Sequence, residues 1–477
     1  VFKLDGLPPS AYTLKTLLMT TQPLHREPAE KIWRAGLAAV EPHSALRRIL
    51  RRHGPGLEVD RWLWTPKPGA SVIIIGAGKA AAAMARAVVD ILSDPGSGFP
   101  PIAIRGLVNV LDEQAGQAGP IRLHGARPAG NPLPTDAGVA GSQAMLEFVR
   151  AAGPDDLVLC LISGGASALL PCPAPGVSIA DKRALTALLS RRGADIRELN
   201  VVRKHLSRIK GGQLAAASNR AGLWVSLILS DVIGNPLDVI ASGPTVPDPS
   251  TFEEAWAILE KFQAVTDAPP ACLHHLRCGL KGQVPETLKQ LPDSIHNVLI
   301  ADNDCALEGA AARARDLGYT VYNLGSHLAG ESWDLGLHLA KLGRDVVRGI
   351  GPIRPPACIL SGGETVVSRV ASDGKGGRNQ ELALAFLSQI PADDRTGLTL
   401  LSGGTDGEDG PTNTAGAWAD ASLQTEALRL KLEIDDFRQR SRSYDFFQQI
   451  GGLFITGPTG TNVMDLRVLL IPTQRTP

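Results

Sequence analysis

The chain has 477 residues, a length that suggests two or three domains, and its 48 Lys+Arg residues balance 48 Asp+Glu residues, so no net charge points to nucleic acid. Hydrophobic residues make up 44%, enough for a large core, and no apolar run approaches the roughly 20 residues that span a bilayer. The six cysteines (Cys160, Cys172, Cys272, Cys278, Cys305 and Cys358) lack the spacing of a secreted disulfide framework, so a reducing compartment is expected.

The segment to Arg26 has no secretory order of charge, apolar run and small residues. A cytoplasmic protein is expected; Val1 at the start leaves a mitochondrial location open. Beyond it, β-branched runs alternate with Ala/Leu-rich stretches, the pattern of an α/β fold with mainly parallel strands. A strand at Ser71–Ile75 runs into Gly76-Ala77-Gly78-Lys79 and a helix reaching Leu92. That turn makes an anion site at a helix N-terminus. Ala81 stands where a dinucleotide fingerprint has its third glycine, and the motif is not a Walker loop. Lys79 opposes the helix dipole and so calls for an anionic partner, unless it is an exposed lysine on an ordinary turn.

A second strand, Leu157–Ile162, leads into Ser163-Gly164-Gly165-Ala166-Ser167, a phosphate or carboxylate cradle in which Ser167 could equally be a helix cap. It does not match a serine-hydrolase elbow. A helix is expected across residues 200–212, burying Val202, Leu206 and Ile209. Arg203, Ser207 and Lys210 then share another face, either solvated or, given Gly211-Gly212, turned to a ligand. The strand Trp224–Leu229 ends at Asp231, a candidate metal ligand or general base, or else a turn cap.

Pro269, Pro270, Pro285 and Pro292 mark a connection at 269–292, between an N-terminal domain at 27–268 and a C-terminal domain at 293–477. The interface of the two is the expected ligand cleft. Cys272, His274, His275 and Cys278 are metal-capable, but their spacing is not that of a zinc site and a structural role is expected. Further strands are expected at Val298–Ala301, Thr320–Leu324, Cys358–Leu360, Leu398–Leu401, Leu453–Thr456 and Arg467–Ile471, with a helix at Ala306–Leu317.

Three strands end in Ser-Gly-Gly, at 163–165, 361–363 and 402–404. Ligands of open α/β sheets bind beyond the carboxyl ends of strands, where glycines admit close backbone approach. Arg378, after Gly374-Lys375-Gly376-Gly377, can fork onto a phosphate or carboxylate. The loop with Gly403, Gly404, Asp406, Glu408 and Asp409 could hold Mg²⁺ beside phosphate oxygens. Thr459, Gly460 and Asn462 form another loop after a strand. Anion cradles, two cations and magnesium-binding acids are the parts that phosphoryl transfer needs.

These motifs resemble the class II glycerate 2-kinases that carry a C-terminal MOFRL domain. The likeness runs from about Ser71 to Ile471 and rests on GAGKA at 76–80, NPLP at 131–134, SGGAS at 163–167, NVVRKHLSRIKGG at 200–212, LSDVIG at 229–234, SGPT at 242–245, GGRNQELAL at 376–384, SGGTDGEDGPT at 402–412 and TGTNVMD at 459–465. The NPLP form looks closer to animal than to bacterial members. Ala166 replaces a usual glycine, and Asn131 replaces a histidine usual in bacterial members.

The resemblance implies a Rossmann-like N-terminal domain, a smaller α/β C-terminal domain, and transfer of the ATP γ-phosphoryl group to the 2-hydroxyl of D-glycerate with Mg²⁺. Lys79 and Arg378 would neutralise the phosphoryl group or hold the substrate carboxylate. Asp231 or Asp406 would bind Mg²⁺ or take the hydroxyl proton. ATP contacts would come from Gly76, Gly78, Ser163, Gly164, Gly165, Ser167, Lys210, Gly211, Gly377, Gly403, Gly404, Thr459, Gly460 and Asn462. Small molecules are the expected partners, with no nucleic acid or membrane and a homo-oligomer left open. Two alternatives remain: a nicotinamide-dependent hydroxypyruvate reductase, which lacks the acid expected about 20 residues past the glycine turn, and a binding protein without turnover.

Overall fold

The computed structural model describes residues 25–94, 102–218, 220–368, 370–371, 373–391 and 396–473. Its strands in chain order are β1 (Leu50–His53), β2 (Gly56–Val59), β3 (Trp62–Trp64), β4 (Ser71–Ala77), β5 (Ala103–Leu111), β6 (Gly116–Ala118), β7 (Ile121–Arg127), β8 (Leu157–Ile162), β9 (Leu223–Leu229), β10 (Ile295–Ala301), β11 (Thr320–Asn323), β12 (Ala357–Gly363), β13 (Thr399–Gly404), β14 (Gly416–Asp420), β15 (Leu453–Phe454) and β16 (Asp465–Ile471). Among the described residues, no helix is long and apolar enough to cross a membrane.

The first large sheet has seven strands in the order β10-β9-β8-β4-β5-β7-β6. All its pairs are parallel except the β6–β7 hairpin. The centre is β4 and β8, whose side chains are all buried, as expected of strands covered on both faces. The second large sheet has six strands in the order β11-β12-β16-β13-β14-β15. There only β11 and β12 are parallel; β16 lies between β12 and β13 and runs against both. The expectation of mainly parallel strands therefore holds for the first sheet and not for the second. A short β-branched run reports burial and gives no strand direction.

The chain does not divide where its prolines suggested. β10, expected in the C-terminal unit, pairs with β9 in the first sheet. The Pro-rich stretch contains a helix, Pro270–Leu280, whose Cys272 and Leu276 pack with Phe252, Leu259, Leu189 and Val202. Cys272 is thus a core residue, and Cys278 lies 3.6 Å from His274 on the same helix. The helix Arg26–Ala39 joins the second core instead of the first, with Ile32 and Trp33 among Leu307, Ala310 and Leu466. Gly36 and Gly309 make that packing possible. A Cβ on Gly36 would stand 2.8 Å from the Ala306 carbonyl, and one on Gly309 would stand 2.9 Å from that of Ala35.

Candidate active site

β4, β8 and β9 are neighbours, so the loops that follow them open at one edge of the first sheet. Gly76 and Gly78 have φ of +148° and +143°, and a Cβ on Gly76 would lie 1.9 Å from the Leu161 carbonyl oxygen. These glycines let β4 press on β8. The N–H groups that an anion would need at this turn are already engaged: Lys79 N–H donates to the Gly164 carbonyl (2.8 Å) and Ala80 N–H to Ser163 Oγ (3.0 Å). Gly76, Gly78 and Ser163 thus build the scaffold that aims the Lys79 side chain.

Lys79 Nζ meets Asp406 Oδ2 and Glu408 Oε2, each at 2.9 Å. Burial acts to lower its pKa, but Asp406 and Glu408 outweigh that and hold it above the ordinary value. The two acids belong to the loop after β13, so this ion pair crosses from the first unit to the second. Asp406 is set by its own turn, where Oδ1 accepts from Glu408 N–H at 3.0 Å and Gly407 has φ of +87°. Gly404 belongs to the same turn. Thr459 Oγ1 donates to the Thr405 carbonyl, tying the loop to the approach of β16.

Asp231 follows β9, and its Oδ2 accepts from Asn462 Nδ2 at 2.9 Å. Gly164 leaves room for this pair: a Cβ there would lie 2.1 Å from Asp231 Oδ2 and 2.3 Å from Asn462 Nδ2. Burial raises the Asp231 carboxyl to about 6; the Glu364 charge adds to the rise, and Lys79 opposes it. Glu364 also accepts from Arg378 Nη1. Arg378 stands at the start of the helix Arg378–Leu387 and grips Asp465 through Nε at 2.8 Å and Nη2 at 3.0 Å. Asp465 is fully buried and also takes bonds from Asn379 and Arg467, both at 2.9 Å. Burial opposes the Arg378 charge, but Asp465 and Glu364 stabilise it more strongly.

Lys79 and Asp406, two of the four expected catalytic residues, are thus joined by an ion pair. The other two, Asp231 and Arg378, are linked through Glu364, whose charge acts on Asp231 and which accepts from Arg378. Gly164 and Asn462 lie against Asp231. Gly165 borders Lys79, since a Cβ there would come within 3.4 Å of Lys79 Cγ. A Cβ on Gly460 would lie 3.8 Å from Ala83, on the helix that follows Lys79. Other expected contacts lie elsewhere. Gly403 packs on Trp33 and Phe454 in the second core. Gly377 makes room for Asp409, whose carboxylate accepts from the N–H groups of Asn379 and Gln380. That helix start is capped by the protein's own anion. Gly211 packs against Asp248 and Thr287.

The helix expected across 200–212 stops at His205. Ser207 ends it, its hydroxyl accepting from Ile209 and Lys210 N–H. Lys210 is buried, not solvated, and its ammonium donates to the carbonyl and hydroxyl of Ser167 and to Ser242 Oγ. Glu364, Asp465 and Arg127 were missed as site residues. The third Ser-Gly-Gly could have flagged Glu364, the residue that follows it.

Among the described residues, no three His, Cys, Asp or Glu side chains group as a metal-holding set. Mg²⁺ in nucleotide sites needs only one or two carboxylates beside phosphate oxygens. Asp231 and Asp406 fit that need, and the mutual repulsion of Asp231, Asp406 and Glu364 is relieved by a cation.

The family described as "Domain of unknown function (DUF4147)" matches residues 28–277, and the MOFRL family matches 357–465. The chain is 38% identical to a glycerate 2-kinase of Pyrococcus horikoshii, over 85% of this chain and 88% of that one. It is 35% identical to a glycerate kinase of Danio rerio, over 93% and 97%. A protein of Agrobacterium vitis provisionally named a hydroxypyruvate reductase is 39% identical, over 84% and 99%. The crystal structure of a glycerate kinase from Thermotoga maritima superposes with a TM-score of 0.79 at 34% identity, covering 93% of this chain and 99% of that one.

Proposed function

The chain belongs to the glycerate kinase family that joins a DUF4147 region to a MOFRL region, and we propose that it transfers the γ-phosphoryl group of ATP to the 2-hydroxyl of D-glycerate, giving 2-phospho-D-glycerate and ADP. The observation that supports this reading is the Lys79–Asp406 ion pair between the two units, with Asp231 and the Arg378–Glu364 pair interacting with it through charge. Phosphoryl transfer is catalysed by positioning and charge neutralisation, and two fixed cations beside acids supply both.

Asp231 accepts the proton of the 2-hydroxyl as its oxygen bonds to the γ-phosphorus. The bond from that phosphorus to the bridging oxygen breaks, and ADP leaves with the electron pair. A carboxyl near 6 is ionised at neutral pH yet basic enough to take that proton. Lys79 neutralises the transferring group, while Arg378, gripped by Asp465 and Glu364, orients the acceptor carboxylate. With Asp231 as the base, Asp406 would hold Mg²⁺ with phosphate oxygens, and the ion would supply further neutralisation. Hydride transfer to hydroxypyruvate has less support, because the N–H donors at the Gly76-Ala77-Gly78 turn are spent within the fold.

The test is ADP release from ATP, Mg²⁺ and D-glycerate, with the product offered directly to enolase without a mutase. ADP release with immediate enolase turnover is expected. NAD(P)H oxidation with hydroxypyruvate and no ADP release would overturn the reading.

A further inference from the structure

A cavity of about 420 Å³ lies beside the cleft, between the loop after β8, residues 132–134 and the helices Ile179–Arg191 and Ile196–His205. Lys182, Arg183, Arg203 and Lys210 line it, and no acidic residue does. Among the described residues, none of these four cations has an acidic group within ion-pair distance. Lys210 is held by neutral oxygens of Ser167, Ala241 and Ser242, Lys182 by the Arg203 carbonyl, and Arg183 by that of Pro134. Burial lowers Lys182 to about 8 and Lys210 well below its ordinary value. Uncompensated charge of this kind is costly in a fold unless an anion meets it.

The cavity continues toward the reacting groups. Ser167 on its wall is two residues from Gly165, which leaves space beside Lys79. Arg127, also beside Gly165, donates to the Asn131 carbonyl at the start of the 132–134 lip. Leu133, Ile179 and Leu199 give the cavity an apolar part of its lining, with Leu133 51% exposed. The groove beside Arg378 differs in kind: it contains Glu381, and its arginine is already paired with Asp465 and Glu364.

We propose that this basic cavity is the nucleotide subsite, with the α- and β-phosphates over Lys210 and Arg203, the nucleoside against Leu133 and Ile179, and the γ-phosphoryl group directed to Lys79. The proposal rests on the kinase reading and divides the cleft: nucleotide on the side of the first sheet, acceptor on the Arg378 side. A triphosphate matches four unpaired cations, whereas a three-carbon hydroxy acid brings a single charge and fills little of the volume.

The test measures binding of a fluorescent ADP analogue in the absence of D-glycerate, with displacement by ADP and by inorganic tripolyphosphate. Arg203→Gln removes one cation. Ala187→Trp fills the cavity from an exposed position on its wall and keeps every charge. Each variant is expected to weaken ADP binding by about 10-fold or more, with the KM for D-glycerate within about twofold of wild type. Tripolyphosphate is expected to displace the analogue from wild type. Wild-type affinity for ADP in both variants would overturn the proposal, as would a rise in glycerate KM with ADP affinity intact. A wild type that neither binds ADP nor releases it in the enolase-coupled assay would instead sink the kinase reading.

Discussion

Replacing Asp465 with Asn removes the anion that holds Arg378 in place. Asp465 accepts three bonds from Arg378, at 2.8, 3.1 and 3.0 Å, and one each from Arg467 and Asn379. An asparagine has one acceptor oxygen and turns its NH₂ toward the arginines. Arg467 is only 1% exposed, so it would remain buried without its anion. Losing one member of a buried pair costs about 3–5 kcal/mol. At about 2–4 °C per kcal/mol for a unit of this size, the second unit should melt about 6–20 °C lower. Arg378 would keep only its bond to Glu364, and a misplacement of about 1 Å lowers rate by about 100-fold. Calorimetry of the variant, with kcat measured well below its melting point, reads both effects. A melting point within about 2 °C of wild type, together with kcat within about twofold, would refute the reasoning behind both magnitudes.

Lys79→Met should lower kcat by about 100- to 1,000-fold, the usual loss for one preorganised charge stabiliser; steady-state kinetics giving less than a tenfold loss would remove Lys79 from that role. Gly164→Ala places a methyl 2.1 Å from Asp231 Oδ2 and should lower kcat at least about tenfold, at a stability cost of about 1–3 kcal/mol; wild-type kinetics would show that the pair yields freely. Burial, followed by the charges of Glu331 and Asp409 against the opposing Arg438, raises Glu381 to about 7. The folded state therefore retains a proton that the unfolded chain gives up near about 4.3, and wild-type stability falls as pH rises between those values. Glu381→Gln removes that ionisation penalty, so its melting point should exceed wild type at pH 8.5 and match it at pH 5; equal melting points at both would mean that Glu381 ionises freely.

Much of the cleft could be read from the sequence because its residues sit where strands end in glycine. Lys79, Asp231 and Asp406 each follow a buried apolar run, and such runs are conspicuous. The strands that escaped reading carry mixed surfaces. β5 contains Arg105, Gly106 and Asn109, β7 contains Arg122 and His124, and β14 is Gly-Ala-Trp-Ala-Asp, so none shows an unbroken β-branched run. The four-residue and shorter strands β1 to β3 are masked by Arg and Trp. Several glycines taken for phosphate contacts serve close packing, because glycine marks any tight approach of backbone and does not reveal its neighbour. The burial of Lys210 was hidden because a helical projection of 200–212 assumes that the helix continues, and Ser207 stops it.

The packing of Arg26–Ala39 into the second core sets a timetable for biosynthesis. During translation this helix emerges ahead of the whole first sheet, but its partners begin at Asn303. Roughly 260 residues must follow before that partner exists, which at ribosomal speeds of about 5–20 residues per second amounts to tens of seconds. Throughout that interval Ile32 and Trp33 lack the surface that finally covers them. The nascent chain therefore carries a sticky leading segment, a natural client for a holding chaperone. A nascent chain that has emerged only as far as Ala301 would hold every strand of the first sheet with this helix still undocked.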